Sequence, residues 1–294
     1  MFWYNGELDR EDVLKLPIAD TGLLYGATVF TTLRIYQESL DNPLTNWQGH
    51  CLRLRVSLET FAWPQPDWER LREGAETMMA TWPVLRIAIF PDGRELITGR
   101  ALPADLSDRQ NNGIRAWLAQ AGPIVLEEQN PSDNRSDRRS TSHASQFPIP
   151  NSQFLYRSLP THKTGNYLAC YLALQEAKKR GTQEAILTDE RGNWLETTTG
   201  NLWGWRNDRW WTPPVEAGIL PGLMRSQLID WLEQNHRPAI EEPWTQETVG
   251  GFEAIGYSNS VVGIIPIREI LTSKRTLTYS PSHPGFGQLQ SLFQ

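Results

Sequence analysis

Apolar residues along the first half of the chain fall into short blocks whose period changes from block to block, which predicts alternating strands and helices. Met1 to Gly6 reads as a short strand ending in a turn at Asn5-Gly6. Gly22 and Gly26 bracket a loop, and Ala27 to Tyr36, with Val29, Phe30, Leu33 and Ile35, reads as a strand. Trp47 to Trp63 has helical spacing: Leu52, Leu54, Leu58 and Phe61 alternate with Arg53, Arg55 and Glu59. Trp68 to Trp82 is a second helix. Leu85 to Phe90 is a strand, Pro91 to Arg94 turns it back, and Leu96 to Thr98 completes a hairpin. Gly113 to Ala121 is one more strand.

The pattern then breaks. Glu127 to Ser152 is Asn, Ser, Asp, Arg, Gln and Pro with almost no large apolar residue, and reads as an exposed linker or insertion. Order returns with an amphipathic helix from Asn166 to Arg180, closed by Gly181 at the position where helices turn left-handed. Glu184 to Thr188 is a strand and Asp189 to Gly192 a turn. Trp194 to Glu196 and Asn201 to Trp205 are further strands, with Asn207-Asp208 turning the chain into Trp210-Trp211. Gly222 to Asn235 is a helix with a glycine-rich start; Glu253 to Ser258 and Val261 to Ile265 are the last strands. Hairpin turns without a regular strand–helix–strand alternation imply an α+β fold. The expected division is a first domain over 1–122, a polar connection over 123–152 and a second domain over 153–294.

Composition narrows the classes. The chain has 294 residues, 39% hydrophobic, with a mean hydropathy of -0.48, enough for a substantial core in a soluble protein. No apolar run approaches the ~18 to 20 residues that span a bilayer. The start, Met1 to Asp9, predicts no secretory leader, so a cytoplasmic location without a membrane partner is expected. A net charge of -6 argues against a nucleic-acid partner, though a local basic pocket is compatible with it. Cys51 and Cys170 stand in helical segments and read as free thiols, a disulfide being the alternative. The five histidines show no metal-ligand spacing, so no metal is expected.

Three patterns could carry chemistry, and each also has an ordinary reading. Lys163 stands after Leu159-Pro160-Thr161-His162, at the entrance to the Asn166 helix. A desolvated lysine amine condenses with carbonyl cofactors, yet most lysines at helix starts are simply solvated. Glu196 ends an apolar strand that runs into Thr197-Thr198-Thr199-Gly200. There it could face a protonated ring nitrogen, or it could be an edge-strand residue facing water. Gly218 to Arg225 opens a helix with two glycines, and free amides at a helix start bind phosphate; many such helices bind nothing. Arg53 could clamp the same phosphate or lie on a helix surface.

Taken together and in order, these segments resemble the class IV aminotransferases, the family of branched-chain aminotransferases, D-amino-acid aminotransferases and aminodeoxychorismate lyases. The resemblance runs from Asn5-Gly6 to Pro266 through Gly22 to Arg34, His50 to Leu54, Lys163 to Asn166, Glu184 to Asn201, Thr212 to Arg225 and Asn259 to Pro266. It implies the two-domain fold-type IV of pyridoxal 5'-phosphate enzymes, like D-amino-acid aminotransferase, with the cofactor between the domains, and a homodimer. It also implies roles. Lys163 would hold the cofactor covalently and serve as acid and base, and Glu196 would contact the pyridine nitrogen. Arg53, the backbone amides of Leu223 and Met224, and the Asn259-Ser260 pair would hold the phosphate.

Within the family several segments are similar to aminodeoxychorismate lyases. Phe30-Thr31-Thr32 stands where many branched-chain enzymes have Phe-Glu-Gly, and Gly222-Leu223-Met224-Arg225 resembles the lyase Gly-Ile-Met-Arg. Lys163-x-x-Asn166, and Asn259 in Ser258-Asn259-Ser260, resemble the lyase too. Gly99-Arg100 falls where lyases carry Gly-Arg-Gly-Tyr, with Ala101 replacing the second glycine. Tyr25 to Phe30 and Asn166-Tyr167-Leu168 look more like branched-chain aminotransferases. The expected function is therefore elimination of pyruvate from aminodeoxychorismate to give 4-aminobenzoate for folate synthesis, with amino-acid transamination of the branched-chain or D-amino-acid type as the alternative. Phe30, Thr32 and Arg100 are the expected contacts to an amino-acid-like substrate; Arg100 is equally readable as a loop arginine.

Overall fold

A computed structural model describes residues 1–119 and 159–294. The first sheet is antiparallel and is ordered β2-β1-β5-β4-β3. Its strands are β1 (Phe2–Tyr4), β2 (Glu7–Asp9), β3 (Val29–Arg34), β4 (Val84–Ile89) and β5 (Glu95–Arg100). The expected Asn5-Gly6 turn joins β1 to β2: both residues have positive φ (48° and 93°), the geometry that a two-residue hairpin requires. Strand period then sorts β3 into two faces. Leu33 is buried against α2 (Trp47–Thr60) and α3 (Trp68–Met79) together with Leu54, Leu58, Leu71, Leu85 and Ile87. Phe30 and Thr32 point the other way. Leu52, expected among the apolar positions of α2, is exposed, so the packed stripe is narrower than its composition suggests.

Short helices that the sequence did not lead one to expect include two in the first half of the chain. The loop bracketed by Gly22 and Gly26 is a helix, α1 (Thr21–Tyr25). Asp20 caps it by accepting from the Gly22 and Leu23 amides, and Gly26 ends it in the left-handed region. α4 (Leu106–Asn112) was not expected, because one buried residue, Leu106, gives no periodic signal.

The second sheet runs β11-β10-β9-β12-β13-β6-β7-β8, with β14 (Thr276–Thr278) paired to β13. Its strands are β6 (Ile114–Ala119), β7 (Glu184–Thr188), β8 (Trp194–Thr197), β9 (Asn201–Arg206), β10 (Arg209–Thr212), β11 (Ile240–Glu241), β12 (Ala254–Asn259) and β13 (Gly263–Leu271). A further pairing of Glu196 with Asn201 joins β8 to β9 and closes the path into a six-stranded ring. Strand period divides the ring's residues between layers. Ala116, Ile186, Leu202, Ile255 and Ile265 share one cluster fed by several strands. Trp203, Trp205 and Trp210 pack instead with α6 (Leu223–Gln234) and α7 (Phe286–Gln290). Ala185 and Leu187 pack with Cys170, Ala173 and Ala177 of α5 (Leu168–Lys179). The tryptophans of Asn201 to Thr212 are thus largely core residues. Cys51 and Cys170 are free thiols.

β6 pairs with β13 and β7 in the second sheet. β6, within the expected first domain over 1–122, is thus a strand of the second sheet. The expected connection over 123–152, the polar run Glu127 to Ser152, and the end of the strand expected over Gly113 to Ala121 lie outside the described residues. Among the described residues no helix is long and apolar enough to cross a membrane.

Candidate active site

All ten residues expected at the site line one pocket between the two sheets, of about 330 Å3, a size typical of small-molecule sites (roughly 300 to 1,000 Å3). Phe30 and Thr32 come from the face of β3 turned away from the helices, and Arg100 from the end of β5. Arg53 reaches in from α2. Lys163, Glu196, Leu223, Met224, Asn259 and Ser260 come from the second unit. The hairpin turns β8–β9 and β12–β13 meet at this end of the ring, because Ser258 pairs with Asn201.

Lys163 is not held by a helix entrance. α5 begins at Leu168, and Lys163 lies ahead of it in an extended segment bridged to β3. Phe30 donates its backbone N–H to the Lys163 carbonyl at 2.8 Å, Val29 pairs with Thr164, and Gly165 donates to the Thr28 carbonyl at 2.7 Å. A side chain at Gly165 would meet Thr28 Oγ1 at 2.3 Å and the Gly26 carbonyl oxygen at 2.5 Å, so only glycine permits this approach. The Lys163 Nζ lies 4.9 Å from the Phe30 ring centre and 5.5 Å from that of Tyr167. Tyr167 packs edge-on against Phe30 and donates its hydroxyl to the Thr198 carbonyl at 2.5 Å.

Glu196 does not face water: it is 2% exposed. Its carboxylate accepts from the Leu220 amide at 3.3 Å, and Asn201 donates to the Leu220 carbonyl at 2.8 Å. These bonds tie the start of α6 to the β8–β9 turn. Gly222 is the N-cap of α6, with no side-chain cap, unlike α1, α2 and α3, which Asp20, Asn46 and Asp67 cap. The first-turn amides of Leu223 and Met224 therefore keep their donors for a ligand at the positive end of the helix. A Cβ at position 222 would come within 2.0 Å of Asn201 Oδ1, so the bare glycine is a packing requirement too. Arg225, in contrast, points away, donating to the Pro213 carbonyl at 2.9 Å and pairing with Glu241. The Asn259 side-chain oxygen accepts from the Val261 and Val262 amides at 2.9 and 3.1 Å, so it is spent on shaping the turn that carries Ser260.

Sequence reasoning missed Arg86, Arg109, Tyr167 and Tyr257, all of which line the pocket. Arg86 sits diagonally from Arg100 on the same face of adjacent strands, its guanidinium 3.5 Å from the centre of the Phe30 ring. Alternation along β3, β4 and β5 could have placed it beside Thr32. It also missed Glu184, fully buried, which accepts from the Thr198 and Thr199 hydroxyls and the Thr199 amide and so shapes the loop after Glu196. Burial raises the pKa of that carboxyl.

His50, read as one of several scattered histidines, is 1% exposed on α2. Burial first, then the charges of Arg53 and Lys163, hold its pKa well below the ordinary 6.5. The unfolded chain therefore binds His50's proton at a pH where the folded chain does not. Stability should fall as pH drops below about 6.5, by up to ~1.4 kcal/mol per pH unit from this group. Urea unfolding between pH 7.5 and 5.5 should show a smaller loss in His50→Asn than in the native chain; equal slopes would remove His50 from the account.

The residues present suit a phosphorylated, ring-bearing carbonyl cofactor. The glycine-capped helix start and Arg53 offer phosphate donors, the buried Glu196 an anion for a ring nitrogen, and Lys163 an amine. Comparisons with known proteins agree. The family described as Amino-transferase class IV matches residues 28–270. The branched-chain-amino-acid aminotransferase of Escherichia coli (strain K12) is 25% identical over 275 residues, covering 91% of this chain and 84% of that protein. The aminodeoxychorismate lyase of Vibrio harveyi is 21% identical over 294 residues, covering 95% and 94%. The PLP-bound form of a hypothetical aminotransferase from Mycobacterium tuberculosis has a TM-score of 0.75 at 16% identity, over 99% of this chain and 98% of that one. The chain belongs to the class IV aminotransferases, and its cofactor is pyridoxal 5'-phosphate.

Proposed function

We propose that this class IV enzyme is a 4-amino-4-deoxychorismate lyase, releasing pyruvate and leaving 4-aminobenzoate. The observation that carries this reading is the charge of the pocket. Arg86 and Arg100 line it in addition to Arg53, and Arg109 lines it while paired with Asp105 at 2.9 Å, whereas Glu196 is the one acidic residue among the lining residues. Burial lowers the pKa of both Arg86 and Arg100, so each pays for holding its charge there. A substrate with two carboxylates offsets that cost with charge-assisted hydrogen bonds. A branched-chain amino acid brings only one carboxylate and an apolar side chain.

Bound pyridoxal phosphate supplies an electron sink that acidifies the carbon bearing the substrate amine. The Lys163 amine removes that proton. The C–O bond to the neighbouring ring carbon then breaks, its electrons leave with the enolpyruvyl group, and the proton is returned to give pyruvate. Loss of the ether leaves an aromatic ring, with no net gain or loss of protons. The Leu223 and Met224 amides and Arg53 would hold the phosphate, Glu196 would offer its charge to the ring nitrogen, and Phe30, Thr32 and Arg100 would face the substrate. Asn259 contributes through the turn that presents Ser260.

A second reading, an amino-acid transaminase of the branched-chain or D-amino-acid type, is supported by the apolar wall of Phe30, Tyr167, Val261 and Val262. One assay separates the two. Incubated with aminodeoxychorismate and no keto acid, the enzyme should release 4-aminobenzoate and pyruvate in equal amounts over many turnovers. Amino transfer from leucine, valine or D-alanine that depends on an added keto acid, with no 4-aminobenzoate formed, would replace the lyase by the transaminase. A homodimer is part of the reading. It is supported by the exposed Leu23, Leu24 and Tyr25 of α1 and Leu168 and Tyr171 of α5, which flank the Lys163 segment. A monomeric mass by sedimentation in the same preparation would remove the homodimer from it.

A further inference from the structure

Thr31 lies between Phe30 and Thr32 on β3 and, by strand alternation, faces α2 and not the pocket. It is fully buried. Its hydroxyl oxygen is 2.6 Å from an Arg53 guanidinium nitrogen and 2.5 Å from His50 Nδ1. His50 and Arg53 are three residues apart on one helix, so a single turn of α2 presents both to the same strand residue. The chemistry of the three groups sets the direction of both bonds. A guanidinium only donates, so the Thr31 oxygen accepts from Arg53. The one proton of the hydroxyl is then directed at His50, whose Nδ1 must be the acceptor, which places the imidazole proton on Nε2. A proton on Nδ1 would make the oxygen accept twice and leave the hydroxyl proton without this acceptor.

We propose that His50, acting through Thr31, is a positioning residue for Arg53, so that a His50–Thr31–Arg53 relay aims the guanidinium at the phosphate of the cofactor. The inference rests on the reading that Arg53 grips that phosphate. Burial and the charges of Arg53 and Lys163 keep the imidazole neutral, which the relay requires. The relay joins the first unit's sheet to its main helix, so the phosphate site is tied to the core of that unit and not only to the start of α6.

The test compares two ligands of the apoprotein, pyridoxal 5'-phosphate and pyridoxal, by titration of tryptophan fluorescence at neutral pH. Thr31→Val keeps the shape and removes both bonds; Thr31→Ser restores the hydroxyl. His50→Leu removes the acceptor; His50→Asn keeps an acceptor near the Nδ1 position. Thr31→Val and His50→Leu should weaken pyridoxal phosphate about tenfold, the scale of one charge-assisted hydrogen bond. They should leave pyridoxal within about threefold, a difference of under one such bond, and Thr31→Ser and His50→Asn should recover most of the loss. Equal weakening of both ligands, or no recovery in the conservative variants, would make the contact a packing feature and overturn the relay. Should Thr31→Val fail to fold, the His50 pair decides by the same criterion. A native protein that binds pyridoxal as tightly as pyridoxal phosphate would instead remove the phosphate site on which the relay depends.

Discussion

Lys163→Ala is expected to lower turnover by about three orders of magnitude or more while leaving the fold intact. The segment is held by main-chain bonds, from Phe30 N–H to the Lys163 carbonyl at 2.8 Å and from Gly165 N–H to the Thr28 carbonyl at 2.7 Å. Alanine keeps all of these. What it removes is the amine lying over the Phe30 and Tyr167 rings. That amine is asked to do two things, to attach the cofactor and to carry the proton at the reacting carbon. A positioned acid–base group alone contributes about 10^2- to 10^4-fold, and groups that act as a unit are lost together. The checks are turnover with saturating pyridoxal phosphate, borohydride reduction with peptide mapping, and a thermal melt. Native protein should label at Lys163 and the variant at no lysine of the pocket. Turnover within tenfold of native in a well-folded variant would sink the assignment.

Glu196→Gln should lower turnover about a hundredfold with a much smaller effect on cofactor affinity. Glutamine matches the shape and can still accept from the Leu220 amide, so the link between the β8–β9 turn and α6 survives. The negative charge does not. Glu196 is 2% exposed and is the one acidic residue lining a pocket whose other charged lining residues are cations. Loss of a buried ionic partner costs about 2 to 5 kcal/mol, on the order of 30- to 5,000-fold in rate if the contact tightens as electrons move onto the ring. Affinity should be less affected because the proposed phosphate contacts do not involve Glu196. The measurement is the ratio of turnover numbers beside the dissociation constants for pyridoxal phosphate. Unchanged turnover would take Glu196 out of the chemistry; equal losses in both would make it a binding residue only.

The site was more legible than its mechanics. Ten residues named from motif order converge on one pocket, yet the reasons for their placement differ from those that the linear pattern offered. Lys163 was expected at a helix start and is held by the edge of β3, a strand more than a hundred residues earlier. Glu196 was readable as solvent-facing because Leu195-Glu196-Thr197 alternates as an edge strand would. It is buried because β8 also pairs with β9 and closes the ring. Arg86 escaped notice as one charge within an apolar strand, and becomes a pocket residue only when β3 and β5 flank β4.

What the sequence determined by itself was local: the Asn5-Gly6 and Asn207-Asp208 turns, where both residues take positive φ, the helices with their apolar stripes, and the glycine-rich start of α6. Each follows from backbone sterics and side-chain period over a few residues. The tertiary structure alone decided which strand edges pair, which face of β3 meets the pocket, and that His50, Thr31 and Arg53 touch. Those outcomes depend on contacts between residues tens to more than a hundred positions apart. Such contacts form when apolar faces find one another on folding, and no local period records which faces will meet.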